Sequence, residues 1–181
     1  MRLLVLILLL GGSFIGAPAS AETRHLGGKG TPAFQLNIPK PWKVFRNVLR
    51  IPYVIAGPVR ATLRTVVEVT PVGPTTLKWD SEALKKHQAE YEDGRKKWAK
   101  KRHFKILSFA PQQSETWASG IDVQIVGVSY QLTESTANEL SCYALCKGKL
   151  FHFKRISRGP DPMQDSDAQT ADGIVRSLRC D

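Results

Sequence analysis

The apolar positions change period several times along the chain, and each change marks an element. Phe34, Leu36 and Ile38 alternate with Ala33, Gln35 and Asn37, the signature of a half-buried strand, and Pro39 and Pro41 close it ahead of Trp42. Residues 43–61 mix Val44, Phe45, Val48, Leu49 and Ile51 with Pro52 and Pro58, which limit any helix and leave the conformation open. Thr62–Thr70 is rich in β-branched residues and reads as a second strand, ended by a turn over Pro71-Val72-Gly73-Pro74. The period then switches. Asp80 or Ser81 can cap a helix running to about Lys101, with Leu84, His87, Tyr91, Gly94 and Trp98 recurring every three or four residues on one face.

Phe104–Phe109 reads as a strand, residues 110–120 as a polar loop, and Ile121–Leu132 as a long alternating strand. Asn138–Cys146 and Lys149–Ile156 form a hairpin over Lys147-Gly148, where glycine supplies the positive φ of a two-residue turn. After the break at Gly159-Pro160-Asp161-Pro162, a last helix over Ser166–Leu178 places Ala171, Ile174, Val175 and Leu178 on one face. This order predicts an α+β domain over residues 34–181, a mostly antiparallel β-sheet with packed helices.

The first 21 residues change the picture of where that domain works. Arg2, the apolar run Leu3–Leu10 and the small residues of Ala19-Ser20-Ala21 make a secretory signal peptide cut before Glu22. The run is interrupted by Gly11-Gly12 and falls short of the ~20 residues a spanning helix needs. The protein is therefore expected to be exported, periplasmic or extracellular, with no transmembrane span after cleavage. Residues 22–33 are Gly-rich and aperiodic, and are expected to form a flexible leader.

Without Arg2, 25 of the 26 basic residues face 16 acidic ones, a net charge of about +9. The densest cluster is Arg95–Lys105, with seven Lys or Arg in eleven residues. Glu82–Lys86, Glu92–Lys96 and Asp93–Lys97 are i,i+4 pairs that absorb part of it, each worth ~0.2–0.5 kcal/mol on a solvated helix. Lys100, Lys101, Arg102 and Lys105 have no acid within helical reach, so they are the candidate contact with an anionic surface. Trp117, in the polar loop, is a second candidate contact, against the alternative that it folds back onto its own strands. Nucleic acid is the partner least expected, since no binding motif for it is present.

No catalytic or metal signature stands out. His25, His87, His103 and His152 are isolated, no serine has a G-x-S-x-G context, and Asp161, Asp165 and Asp167 lack the spacing of a calcium loop. In the hairpin register His152 lies opposite Tyr143, facing away from both neighbouring cysteines, and His87 belongs to the apolar stripe of its helix. No cofactor is expected.

Cys142 and Cys146 cannot pair with each other, because four strand residues separate their Cα atoms by about 13 Å against the ~7 Å limit for a bridge. Either one takes Cys180 or all three stay free. A final helix packing back along the Lys149–Ile156 strand would end beside the turn, which selects Cys146–Cys180 and leaves Cys142 a buried thiol.

The opening F-x-L-x-I-P-x-x-W (Phe34, Leu36, Ile38, Pro39, Trp42), the long middle helix, Gly120–Val123, the hairpin and the closing Val175-Arg176-Ser177-Leu178-Arg179 together resemble the PsbP-like superfamily. That group includes the extrinsic photosystem II protein and bacterial envelope relatives such as the DcrB-type proteins. The resemblance implies an α/β/α sandwich and a non-enzymatic accessory or binding role; it carries over no functional residue. The expected function is a non-catalytic periplasmic or secreted protein docking onto an envelope component. The rivals are anionic membrane or polysaccharide binding through the basic helix end, and a hydrolase-type enzyme whose site is assembled from distant residues.

Overall fold

The computed structural model describes residues 20–28, 30–59, 64–76, 78–133, 135–158 and 166–181. Residues 1–19 of the expected signal peptide and the break at 159–162 lie outside the described residues. In chain order the elements are β1 (Ala21–Gly28), β2 (Thr31–Pro39), β3 (Lys43–Val48), β4 (Ile51–Ala56), β5 (Val66–Pro74), α1 (Ser81–Arg102), β6 (Lys105–Thr116), β7 (Asp122–Gln131), β8 (Thr136–Cys146), β9 (Lys149–Arg158), α2 (Ser166–Arg176) and β10 (Arg179–Cys180). A seven-stranded sheet has the order β3-β4-β5-β9-β8-β7-β6, and a three-stranded one the order β1-β2-β10. Every pairing is antiparallel.

One face of the large sheet meets the small sheet and α2, and the other meets α1. On the first face the inward residues Phe34, Leu36 and Ile38 of β2 pack with Ile55, Val67, Val69, Phe151 and Phe153, and Ala171, Ile174, Val175 and Leu178 close over them. Phe34 sits edge-on to Phe151 at 5.3 Å and to Tyr53 at 5.6 Å. All three phenylalanines are fully buried, at about 1.5–3 kcal/mol each relative to exposure. On the second face Tyr91 and Trp98 of α1 pack against Phe104, Ile106, Phe109, Val128 and Tyr130. Asp80 caps α1, its Oδ1 accepting from the Ala83 N–H at 2.8 Å.

Three expectations are corrected, and the segment left open, residues 43–61, gains a conformation over 43–56. Residues 22–28 are not a leader: they belong to β1, held to β2 by backbone bonds while only Leu26 is buried, which is why no apolar period shows. Gly27, at φ 104°, lies where a Cβ would come 2.5 Å from the Pro32 carbonyl oxygen, and its N–H donates to the Tyr53 hydroxyl at 2.9 Å. Residues 43–56 form the hairpin β3–β4. The segment Pro71–Pro74 is not a turn, because β5 runs to Pro74 and pairs with Lys149, accommodating its prolines at a bulge between Pro71 and Gly73. Residues 110–116 are strand, not loop; β6 is an edge whose alternation is broken by bulges at Ile106/Ser108 and Ala110/Gln113.

Candidate functional site

The long basic helix end is where the chain carries charge that its own fold does not use. In α1, Arg95 is drawn inward: its Nη2 lies 2.9 Å from Oε2 of Glu139, a carboxylate 3% exposed, and its guanidinium stacks 3.8 Å from the Trp98 ring. Lys96 and Lys97 pair with Glu92 at 3.3 Å and Asp93 at 2.6 Å, both at the expected spacing. Lys86 pairs with Glu90, at 3.9 Å, rather than with Glu82. Lys100, Lys101, Arg102 and Lys105 are exposed and have no ion pair among the described residues. The first three lie in the last turn of α1, where the carbonyl end of the helix favours cations. His103 ends the helix in the left-handed region, φ 57°, with its N–H donating to the Ala99 and Lys100 carbonyls.

Topology adds cations that are distant in sequence. Lys105 pairs with Gln131, Gln131 with Thr136, Ala137 with Arg158, Ile156 with Val66, Val66 with Ala56, and Ala56 with Lys43, so these residues line one end of the seven-stranded sheet. Arg64, just before β5, is tied there by its Nε donating to the Gly57 carbonyl at 2.7 Å. Lys43, Arg64 and Arg158 are exposed, and no Asp or Glu stands among the described residues of this end (43, 56–59, 64–66, 100–106, 130–133, 135–138 and 155–158). Sequence reasoning found the four residues that follow one another and missed these three, because only strand order unites them.

Trp117 is not part of this surface. It lies by the β6–β7 turn at the opposite end of the sheet, 5% exposed, in the core with Ile121 and Val123. Its Nε1 donates to Glu115 at 3.2 Å, and Arg176, bonded to the same carboxylate at 2.6 Å, stands 6.0 Å from its ring. Of the two readings of this side chain, the fold realises packing onto its own strands.

The remaining candidates for chemistry are built into the interior. Cys146 and Cys180 form a disulfide, which fastens β10 beside the β8–β9 turn. Cys142 is free, on the same sheet face, and burial pushes its thiol up to about 12. His152 stacks on Tyr143 at 4.4 Å, and His87 meets the Tyr143 ring edge-on at 4.6 Å and Trp79 at 5.4 Å. Burial lowers both imidazoles, His152 to about 4, and so keeps them neutral near pH 7. Among the described residues no group of three His, Cys, Asp or Glu could hold a metal ion, and no helix is long and apolar enough to cross a membrane.

No protein-family model matches the chain, and no curated protein matches it. Solved structures do. Cyanobacterial PsbP (CyanoP) from Synechocystis sp. PCC 6803 superposes with a TM-score of 0.54 over 95% of this chain and 99% of its own, at 14% identity. LpqN of Mycobacterium tuberculosis, described as involved in cell envelope biogenesis, superposes with a TM-score of 0.56 over 87% of this chain and 90% of its own, at 13% identity. At these identities the likeness establishes the fold, which is PsbP-like.

Proposed function

We propose that this chain is an exported, non-catalytic accessory protein of the cell envelope that attaches to an anionic envelope component through the cationic end of its large sheet. The observation that carries the reading is the gathering of Lys43, Arg64, Lys100, Lys101, Arg102, Lys105 and Arg158 at one end with no acid among the described residues around them. The helix end and the Gly57 carbonyl account for only part of this field, since isolated surface charges add little to stability and like charges brought together oppose it. The disulfide suits an oxidising compartment, and the involvement of LpqN in envelope biogenesis is compatible with the same setting.

The test is co-sedimentation of the purified protein with anionic envelope fractions at low and high salt. Binding should fall steeply between about 50 and 200 mM salt, as expected when several cations are screened together. Replacing Lys100, Lys101, Arg102 and Lys105 by Ser should reduce the low-salt binding at least about tenfold while leaving the melting temperature within a few degrees, because none of the four is paired. Binding that survives both salt and substitution would refute the cationic end as the contact.

A further inference from the structure

On the face of the large sheet that carries α2, the helix covers only part of the width, and a trench is left between it and the edge strand β6. Three rows of facing residues form its floor. The first is Gln113, Ile125 and Cys142; the second is Ala110, Gly127 and Leu140; the third is Ser108, Ser129 and Asn138. The first two rows, walled by Val175 of α2, form an open-sided cavity of about 390 Å³ whose lining is mostly apolar and also includes Glu115, Asp172 and Arg176. A second cavity of about 240 Å³ continues over the third row and shares Ala110 and Leu140 with the first. Glycine is required in the middle row, because a Cβ on Gly127 would lie 2.8 Å from Cδ2 of Leu140 and 3.2 Å from Cβ of Ala110. The larger cavity falls in the size range of small-molecule sites.

Two unused donors lie on the β8–β9 side of the trench, Asn138 in the third row and Arg155 beside Leu140, in line with the second. Ser129 Oγ donates to Asn138 Oδ1 at 2.5 Å, so the amide oxygen is occupied, while the buried Asn138 Nδ2 has no partner among the described residues. Arg155, 8% exposed and lining the same cavity, gives one Nη to Asp172, yet its Nε is buried without a partner. Buried donors lacking an acceptor are uncommon in native proteins and call for one. A carboxylate supplies acceptors alone, and charge-assisted bonds to it are the strong kind.

We infer that the trench binds a long-chain fatty acid, its hydrocarbon chain lying over Ile125 and Leu140 beside Val175 and its carboxylate received by Asn138 and Arg155. The apolar rows take the chain and the polar row fixes which way round it lies. Asn138 and Arg155 border the cationic end, but the inference rests on the trench and not on the proposed attachment through that end.

Isothermal titration of the purified, disulfide-bonded protein with laurate, methyl laurate and dodecanol, each below its aggregation threshold, tests the inference. Laurate should bind saturably and at least tenfold more tightly than the ester or the alcohol, neither of which carries a charged head group. Ala110→Phe, which fills the middle row, should abolish binding of all three. Asn138→Asp, which keeps the acceptor for Ser129 and places a negative charge at the polar end, should weaken laurate at least tenfold and leave dodecanol unchanged. The wild-type comparison stands whether or not either variant folds. Absence of saturable laurate binding, or equal affinity for acid and alcohol, overturns the proposal.

Discussion

His87 and His152 stand far apart in sequence yet both pack against the Tyr143 ring, and their burial gives the fold a pH dependence of definite sign. The native environment of His152 lowers its pKa to about 4, against 6.5 in the unfolded chain, because burial penalises the imidazolium and Lys154 and His87 add to that penalty. Between those values the unfolded state binds more protons, so stability rises with pH. The contribution is complete above pH 6.5, is lost as pH falls toward 4, and amounts to at most about 3 kcal/mol. His87, shifted the same way, adds a loss of the same sign. His152→Phe retains a ring to stack on Tyr143, and the buried Nε2 that it removes has no partner among the described residues. Denaturant titrations at pH 7 and pH 5 should therefore show a smaller loss on acidification in the variant than in the wild type. An identical loss in both would contradict the account of His152.

Among the elements, β10 depends most on a single bond. It pairs with β2 through two residues, Arg179 with Gln35 and Cys180 with Phe34, and the Cys146–Cys180 bridge closes a separation of 34 residues around it. In the chain-entropy account such a loop is worth roughly 3–4 kcal/mol. The double replacement Cys146→Ser, Cys180→Ser should lower unfolding stability by about that amount and speed amide exchange in β2 and β10 before other strands, as read by exchange mass spectrometry. Stability unchanged by the double replacement would show that β10 is held by packing alone. The pairing was readable from sequence because the hairpin fixes which face each cysteine takes, and the periodicity of α2 fixes where the chain returns. Elements with an internal signature were equally legible: the capped α1, the long apolar β7, which is buried on both faces, and the Lys147-Gly148 turn, where both residues take positive φ. The β3–β4 hairpin was not. Its turn is Leu49-Arg50, with φ of 50° and 69°, and side chains of this kind give no signal of the conformation they adopt. The edge strand β1 and the second half of β6, residues 110–116, were missed for the converse reason, since a strand bonded on one side and half exposed need not alternate.

For the whole molecule, charge follows strand order rather than sequence order. Lys100, Lys101, Arg102 and Lys105 declared themselves as a run, whereas Lys43, Arg64 and Arg158 join them only once the sheet is assembled. The amino-terminal boundary of this assembly bears on export. A cut after Ala21 removes one residue from β1 and leaves the pairing from Glu22 with Ile38 onward intact. It also leaves the buried Leu26 and the Gly27 bond to Tyr53, the contacts that anchor β1 to the core. Cleavage at that site is thus compatible with the fold, and an oxidising compartment beyond the membrane would supply the conditions for the Cys146–Cys180 bond. Amino-terminal sequencing of the protein recovered from an envelope or secreted fraction should begin at Glu22. Peptide mapping of the same material without reduction should show Cys146 linked to Cys180 and Cys142 free. Soluble protein that retains Met1 and carries three free thiols would remove the basis for export.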